Sequence, residues 1–311
     1  MRVVDRGRGP AVLLCHGFPE TAHAWRHQVA ALAAAGYRAI APDMRGYGGT
    51  DSPEPIGSYT VFDAVGDLVG LLDALEVSEA TVVGNDWGAT IAWQAALMRP
   101  DRFTAVIGIG VPLMGRAPAR PTTLFPSTGD AMFYTLYFQQ PGTAEAEFER
   151  DVGMSLRKIM FAASGDAGPR REGDDTPDPF AMVSTSDGML AGLPMPSRMP
   201  DWLTPEDLDE FVSAFTASGF RGGLNYYRNL DRNWELQRAC EGVRVAVPAQ
   251  YIVGERDAGR RMPGMDRIVE GMSGLASRLR PSIVIEGSGH WVPQERPSEL
   301  NAALLDFLGS L

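Results

Sequence analysis

The pentapeptide Gly84-Asn85-Asp86-Trp87-Gly88 places an aspartate at the centre of a turn between two predicted elements. Before it lies the apolar run Thr81-Val82-Val83, typical of a buried strand, and after it residues 89–98 have the composition of a helix. Small residues on both sides permit a tight strand-to-helix turn that exposes the central side chain above a sheet. Asp86 is therefore our candidate nucleophile.

A carboxylate nucleophile limits the chemistry to electrophilic alkyl carbons. A serine in such a turn attacks acyl groups, whereas a carboxylate attacking an sp3 carbon forms an alkyl ester whose carbonyl belongs to the enzyme. Water must then cleave that ester to release the product. The sequence therefore predicts a hydrolase whose substrate carries an electrophilic alkyl carbon.

The second step needs a base that activates water and an acid that orients this base. Of the four histidines, only His290 lies late in the chain, in the loop Gly287-Ser288-Gly289-His290-Trp291 directly after a predicted strand. This agrees with the chain order nucleophile, acid, histidine. Asp257, in the loop after the preceding predicted strand, is the expected orienting acid, and Glu255 is the main rival.

The loop His16-Gly17-Phe18-Pro19-Glu20 follows the predicted strand 11–15. The backbone N–H groups of Phe18 and Trp87 are expected to point at the oxygen that becomes charged when water attacks the Asp86 ester. We expect both donors to lie at helix starts, which favours the ionised carboxylate of Asp86. A Phe-Pro pair is also compatible with an ordinary turn, but its combination with the later Asp86 turn favours an oxyanion hole.

These residues require a sheet whose strand ends meet at one edge. Short apolar runs alternate with helical patterns over the first 110 residues and again near the end of the chain, which predicts an α/β fold with a mostly parallel, doubly wound sheet. The predicted strands are 11–15, 37–41, 81–83, 104–109, 250–253 and 283–285. The predicted helices are 25–35, 62–75, 267–279 and 299–308, the last with Ser298 as its N-cap.

The middle of the chain has a different composition, because Pro, Met and aromatic residues replace the alternation after Gly115. We therefore expect a core of residues 1–114 and 231–311 and an inserted, mainly helical cap domain at 115–230. Within the insertion, Thr204 and Pro205 predict the N-cap and first residue of a helix that ends at Gly219. The Gly- and Pro-rich segment 164–178 predicts a mobile loop.

Composition excludes several other classes of protein. The 311 residues are 44% hydrophobic and 22% charged, as in soluble globular proteins. A net charge of −11 argues against nucleic acid or anionic membranes as partners, since phosphate backbones require a basic surface. The spacing of Cys15 and Cys240 suggests neither a metal site nor a disulfide, and no signal or transmembrane segment is evident. We expect a cytoplasmic enzyme without a metal or cofactor.

Four motifs together resemble those of the α/β-hydrolase-fold epoxide hydrolases of the soluble and microsomal type. The resemblance covers nearly the whole chain and implies the α/β-hydrolase fold with a cap domain. It also implies that the substrates are a small apolar epoxide and water and that the product is a vicinal diol. The motifs are His16-Gly17-Phe18-Pro19-Glu20, Asp43-Met44-Arg45-Gly46-Tyr47-Gly48, Asn85-Asp86-Trp87-Gly88 and Gly289-His290-Trp291.

Two cap segments, residues 133–142 and 224–229, are the most specific part of the resemblance. In the family each supplies one tyrosine that hydrogen-bonds the epoxide oxygen, and the resemblance assigns this role to Tyr134 and Tyr227. Spacing alone leaves ordinary aromatic packing open. Phenols suit the task because opening an epoxide leaves an alkoxide, and a donor with a pKa of about 10 stays protonated at neutral pH.

Further residues are expected to line the substrate site or to support the fold. His16, Phe138 and Trp291 are expected to contact the substrate, with ordinary core packing as the alternative for each aromatic side chain. The motif at 43–48 is interpreted as structural because the reaction requires none of its side chains.

Two other functions remain open from the residues. A haloalkane dehalogenase shares the aspartate and the following tryptophan, but it must hold a halide and commonly has asparagine where this chain has Phe18. Paired cap tyrosines also favour an oxygen leaving group. A non-catalytic ligand-binding protein of the same fold usually lacks a catalytic group, whereas here all the expected groups are present: Asp86, His290, Asp257, Tyr134 and Tyr227.

The N-terminus departs from the family pattern. Family members usually begin with an additional strand that pairs in a hairpin with the next, and here only Arg2-Val3-Val4 precedes the turn at 7–10. Either the sheet edge is shortened or the start lies upstream. An uncovered edge strand favours association, so a homodimer is among the expected assemblies.

Overall fold

A seven-stranded sheet forms the centre of the molecule. The computed structural model describes residues 1–167 and 181–311. In chain order the described strands are β1 (Val3–Arg6), β2 (Ala11–Cys15), β3 (Arg38–Pro42), β4 (Ala80–Asn85), β5 (Phe103–Ile109), β6 (Ala131–Phe133), β7 (Met182–Ser184), β8 (Ala249–Gly254) and β9 (Ile283–Ile285). The central sheet has the order β1-β3-β2-β4-β5-β8-β9, and β6 and β7 form a separate antiparallel pair.

Helices cover both faces of this sheet. In chain order the described α-helices are α1 (Arg26–Ala34), α2 (Val61–Ala74), α3 (Trp87–Met98), α4 (Tyr134–Tyr137), α5 (Thr143–Phe148), α6 (Val152–Ala163), α7 (Met189–Gly192), α8 (Pro205–Ser218), α9 (Arg221–Arg228), α10 (Leu230–Leu236), α11 (Met265–Leu275), α12 (Val292–Glu295) and α13 (Pro297–Gly309). Every residue of β4 and β8 is buried, as in parallel strands covered on both sides.

Two apolar clusters follow from this layering. On one face, α1 and α13 pack against the sheet through residues such as Leu32 and Phe307. On the other face, side chains of α2 and α3 share one cluster with cap residues such as Phe138 and Phe211. The α/β-hydrolase fold predicted from the sequence is thus present, and cap and core share one hydrophobic core.

The predicted strands and the α8 N-cap are confirmed, and one capping prediction is wrong. All six predicted strands form within a few residues of their expected bounds. Thr204 caps α8: its side chain accepts from the Asp207 N–H, and the Asp207 carboxylate accepts from Thr204. Ser298 does not cap α13. Pro297 occupies the first turn, so the helix begins earlier, with Arg296 as N-cap and no side-chain cap bond.

The cap elements lie between β5 and β8 in the chain and are joined to the core by hydrogen bonds. Tyr226 Oη donates to the Arg45 carbonyl at 3.0 Å, and Asn229 Nδ2 donates to the Ile56 carbonyl at 2.7 Å. The division of the chain into a core and a cap at residues 115–230 stays a prediction. Helix α10 begins at Leu230, the last residue of the predicted cap.

The expected loop at 164–178 lies largely outside the described residues. Its described part includes a turn of 3-10 helix at Gly165–Ala167. Residues 168–178 belong to the part of the chain that the structure does not describe.

At the N-terminus, β1 is a short edge strand. It pairs antiparallel with β3, where Val3 lies opposite Pro42, and it does not form a hairpin with β2. Across residues 1–167 and 181–311, no helix combines the length and apolar character needed to cross a bilayer.

Candidate active site

Asp86 occupies a sharp turn between β4 and α3. Its φ of 55° and ψ of −121° lie in a region that residues with a Cβ rarely adopt. The close approach of neighbouring backbones explains the small residues: a Cβ at Gly84 would overlap the Gly88 carbonyl, and a Cβ at Gly88 would overlap the Cys15 carbonyl. The predicted strand-to-helix turn is confirmed.

His290 lies between two carboxylates. Its Nε2 is 3.3 Å from Asp86 Oδ2, and its Nδ1 is 3.0 Å from Asp257 Oδ2. Asp257 is 1% exposed, and its other oxygen accepts from the Gly259 N–H. The rival Glu255 instead accepts from the Gly287 N–H at an exposed position. The structure therefore places Asp257, and not Glu255, beside His290.

The two carboxylates set the protonation of His290. Burial lowers the pKa of the imidazole, but the charge and hydrogen bond of Asp257 and the hydrogen bond and charge of Asp86 together outweigh burial. They hold the pKa of His290 well above its ordinary value. The raised pKa favours the imidazolium form of His290 between the two side chains in the free protein.

One of the two expected oxyanion donors is hydrogen-bonded to Asp86. The Phe18 N–H donates to Asp86 Oδ1 at 2.9 Å. Among the hydrogen bonds of residues 1–167 and 181–311, Trp87 supplies none to this carboxylate. The prediction that both donors lie at helix starts holds for Trp87, the first residue of α3, and is wrong for Phe18. The nearest helical turn after Phe18 begins at Ala22.

The two cap tyrosines lie together above Asp86. The rings of Tyr134, at the start of α4, and Tyr227, on α9, are 6.0 Å apart, and the Tyr227 ring is 5.1 Å from that of Trp87. Burial, and next the charge of Asp86, raise the pKa of both phenols. Both hydroxyls therefore stay protonated and able to donate.

The side-chain amide of Gln139, which no sequence pattern singles out, holds the two tyrosine segments together. Gln139 Nε2 donates to the Thr135 carbonyl at 2.8 Å and to the Tyr227 carbonyl at 2.9 Å. It thus ties the helix that carries Tyr134 to the end of α9. Gln139 lies within the cap segment at 133–142, but nothing in the sequence indicates which backbone it meets.

The structure gives His16 a different place from the expected substrate contact. Its Nδ1 is 2.9 Å from the Gly17 carbonyl, and the Met44 N–H donates to its Nε2 at 2.9 Å. Burial lowers its pKa, so the ring is neutral, with Nδ1 as donor and Nε2 as acceptor. Both ring nitrogens therefore bind backbone groups, one before Phe18 and one after β3, and neither is left for a substrate.

Phe138 and Trp291 flank the site from two sides. Phe138 is 1% exposed, and its ring lies 4.9 Å from Tyr227 and 5.9 Å from Phe18. Trp291 is equally buried, and its Nε1 donates to the Met160 carbonyl of α6 at 2.7 Å. Phe138 thus belongs to the aromatic cluster of the tyrosines, whereas Trp291 ties the histidine loop to the cap.

Comparison with known proteins agrees with this geometry. The family model described as the α/β hydrolase fold matches residues 10–297. Epoxide hydrolase A of Mycobacterium tuberculosis is 43% identical over 100% of this chain and 94% of its own length. Epoxide hydrolase 2 of Siraitia grosvenorii is 40% identical over 99% of this chain and 94% of its own length. The chain belongs to the α/β-hydrolase-fold epoxide hydrolases.

Solved structures of epoxide hydrolases have the same architecture. One from an endophytic Streptomyces is 41% identical, with a TM-score of 0.92, and the match covers 99% of this chain and 91% of that one. Epoxide hydrolase A of Mycobacterium thermoresistibile is 42% identical, with a TM-score of 0.89 over 99% of this chain and 94% of that one.

In this epoxide hydrolase the motif at 43–48 has the structural role expected from the sequence. Asp43 is fully buried and accepts from the Ala22 N–H at 2.9 Å, the Gly49 N–H at 3.0 Å and Arg2 Nη1 at 3.0 Å. Arg45 forms an ion pair with Asp67. These bonds fix the loop after β3, against which the loop of Phe18 lies.

Sequence reasoning missed a buried carboxyl beside the epoxide hydrolase site. Glu20 is 0% exposed and accepts from Gln294 Nε2 at 2.8 Å and from Asn85 Nδ2 at 3.4 Å. Burial raises its pKa to about 7. Glu20 is the last residue of the His16-Gly17-Phe18-Pro19-Glu20 loop. Its partner Gln294 lies near the other end of the chain, and no spacing in the sequence relates the two.

Proposed function

We propose that this epoxide hydrolase converts a small apolar epoxide and water to a vicinal diol through a covalent ester on Asp86. The observation that carries the proposal is the pair of contacts at this carboxylate. Oδ1 accepts from the Phe18 N–H at 2.9 Å, and Oδ2 lies 3.3 Å from His290 Nε2. One oxygen is thus held as a future carbonyl, and the other lies beside the base.

In the first step, Asp86 Oδ2 forms a bond to one oxirane carbon as the bond from that carbon to the ring oxygen breaks. The ring oxygen takes the electron pair of the broken bond and a proton from Tyr134 or Tyr227. The products are a hydroxyalkyl ester and a tyrosinate. Two donors above the nucleophile would hold the epoxide for in-line attack.

Ester formation changes the protonation of His290. The ester carries no charge, so one of the two carboxylates that hold the proton on the imidazole is lost. The pKa of His290 then falls, and the proton that the ring gives up passes through water to the tyrosinate, which becomes a neutral phenol again. Neutral His290, oriented by Asp257, becomes the base for the second step.

In the second step, a water molecule gives a proton to His290 Nε2 and its oxygen bonds to Cγ of Asp86. The charge that develops on Oδ1 is stabilised by the Phe18 N–H, and the Trp87 N–H at the start of α3 is the second donor that we propose for it. The bond between Cγ and Oδ2 then breaks. The diol leaves with Oδ2 and the proton of the new carboxyl, and the carboxylate and the imidazolium are restored.

The cap tyrosines distinguish this reaction from the alternatives. A halide needs no proton, whereas an alkoxide does. The two buried phenols, which lie near enough to Asp86 for its charge to raise their pKa, would supply one. A non-catalytic binding protein would not need a histidine held between Asp86 and Asp257. Homodimer formation and cytoplasmic location stay predictions.

The test is a single turnover in heavy-oxygen water with styrene oxide, a fatty-acid epoxide and a cyclic epoxide. We expect an unlabelled diol from the first turnover and one heavy oxygen in Asp86, and we expect His290→Gln to accumulate an enzyme carrying the mass of the epoxide. Solvent oxygen in the first diol would exclude the covalent route. Chloride release from chloroalkanes without diol formation would instead identify a dehalogenase.

A further inference from the structure

The loop that carries His290 is fastened to the cap as well as to the core. The His290 N–H donates to the Ala163 carbonyl at 2.9 Å, and Trp291 Nε1 donates to the Met160 carbonyl at 2.7 Å. Both acceptors belong to the last turn of α6. The backbone of the catalytic histidine is therefore bound directly to the end of a cap helix.

A buried carboxylate on α12 joins the histidine loop to the cap residue Gly165, just after α6. Glu295 is 4% exposed, and its Oε2 accepts from the Gly289 N–H and the Gly165 N–H, each at 2.8 Å. Its Oε1 accepts from the Trp291 N–H at 2.9 Å. One side chain therefore binds the residue before His290, the residue after it and a cap residue. We call these three bonds the Glu295 clamp.

The backbones within the clamp are in direct contact. A Cβ at Gly289 would overlap the backbone of Ser164 and Gly165, and a Cβ at Gly165 would overlap the Gly287 carbonyl. Arg256 Nη1 adds a hydrogen bond to the Gly165 carbonyl at 3.0 Å. Because no side chain separates the two backbones, a displacement of Gly165 is passed on to the histidine loop.

We propose that Glu295 is a positioning residue that couples the end of α6 to His290, so that the cap controls hydrolysis of the Asp86 ester and not its formation. This inference rests on the proposed two-step function. His290 Nε2 is needed as a base only when water attacks, whereas the first step uses Asp86 and the cap tyrosines. A shift of the histidine loop therefore acts on the second step alone.

The chemistry of the clamp explains why a carboxylate is needed. Three N–H donors converge on Glu295, and an ionised carboxylate accepts all of them without offering a donor of its own. Burial raises the pKa of Glu295 above its ordinary value, and its bonds to Gly289, Gly165 and Trp291 offset part of that shift in favour of the ionised form. A glutamine would turn an NH2 group toward one of the three donors, which leaves a buried N–H unpaired.

The test follows formation and decay of the alkyl-enzyme separately, by rapid quenching of a single styrene oxide turnover and intact-protein mass measurement. In Glu295→Gln we expect ester formation within about twofold of the unmodified protein. We expect decay to be slower by about 10- to 100-fold, the effect of a misplaced catalytic group. Gly165→Ala, which pushes on the loop from the cap side, should show the same pattern and does not depend on Glu295→Gln folding.

The matched control is Asp151→Ala, at the opposite end of α6. Asp151 Oδ1 accepts from the Met154 N–H at 2.9 Å and contacts no part of the histidine loop. This variant loses the side-chain acceptor of a backbone N–H in the same helix, and we expect both rates to be unchanged. Equal slowing of both steps in Glu295→Gln and Gly165→Ala, or slowing of neither, would overturn the clamp. Absence of an alkyl-enzyme in the unmodified protein would instead overturn the proposed function.

Discussion

At the scale of single residues, Asp86 stands in a left-handed backbone conformation so that its side chain meets two partners at once. Such a conformation costs about 1–3 kcal/mol for a residue with a Cβ and persists only where the surroundings enforce it. Gly17 lies so close that a Cβ there would overlap the Asp86 carboxylate. The neighbouring loop thus confines the nucleophile as well as binding it.

Tyr227→Phe removes one phenol donor without changing the shape of the ring. We expect ester formation to slow by about 100-fold, the usual contribution of a positioned proton donor, and ester hydrolysis to stay the same. Rapid-quench measurement of alkyl-enzyme formation checks this. Tyr226→Phe is the matched control, because its hydroxyl donates to the Arg45 carbonyl and not to the site. Equal rates in Tyr227→Phe and the unmodified protein would contradict the role of Tyr227.

The raised pKa of His290 makes stability depend on pH. Folding favours the imidazolium, so this contribution is fully present below the unfolded pKa of about 6.5 and disappears as pH rises through the raised folded pKa. We therefore expect the unfolding free energy of the unmodified protein, relative to His290→Gln, to be largest near about pH 6 and to fall towards about pH 9. Urea unfolding of both proteins at several pH values measures this difference.

His27→Gln serves as the control, because the pKa of His27 is shifted in the opposite direction from that of His290. Burial lowers the pKa of His27, so folding favours its neutral form and the loss of stability appears as pH falls. Because His27 is exposed, solvent screening keeps this effect small. A difference for His290→Gln that grew with rising pH would contradict an imidazolium at rest.

At the scale of elements, the start of α8 is fixed by a reciprocal pair of bonds. The Thr204 side chain accepts from the Asp207 N–H, and Asp207 also pairs with His23 and Arg26 of the core. Thr204→Ala should lower the unfolding free energy by about 1 kcal/mol, whereas Thr204→Ser should lose little because serine is also a good N-cap. Denaturant unfolding compares the variants, and an equal loss in both would show that the hydroxyl is not the cause.

Elements with a local signal could be predicted, and those set by distant partners could not. The turn at Asp86 and the N-cap at Thr204 depend on residues a few positions apart, which a sequence displays directly. Ser298 failed as a cap because Pro297 already suits the first helical turn. The ring nitrogens of His16 both meet backbone groups and not a free site, because the fold brings Met44, distant in the sequence, beside the ring.

At the scale of the whole molecule, cap and core should unfold together. Apolar side chains of both belong to one cluster, and polar bonds such as Asn229 to the Ile56 carbonyl cross the junction. We expect a single unfolding transition, with hydrogen exchange in α8 of the cap and α13 of the core responding to the same denaturant concentration. Separate transitions for the two helices would show independent domains.

Contacts between residues that are far apart in the sequence could not be predicted. Glu20 and Gln294 are 274 positions apart, and their bond exists only because β2 and α12 are brought together by the sheet. Likewise, the bond from the His290 N–H to Ala163 crosses between cap and core. No periodicity or spacing encodes such pairs. The sequence therefore predicted that Asp86, Asp257 and His290 lie together, as they do, but not the contacts that support them.

The bond from the Phe18 N–H to Oδ1 also implies that the two oxygens of Asp86 exchange with water at different rates during turnover. In the proposed mechanism, Oδ2 leaves with each diol and is replaced from water, whereas Oδ1 stays unless the carboxylate turns about its Cβ–Cγ bond. Repeated turnover in heavy-oxygen water therefore records rotation: one heavy atom per molecule means that the carboxylate keeps its orientation from cycle to cycle, and two mean that it turns. The label count thus compares the rate of carboxylate rotation with the rate of turnover.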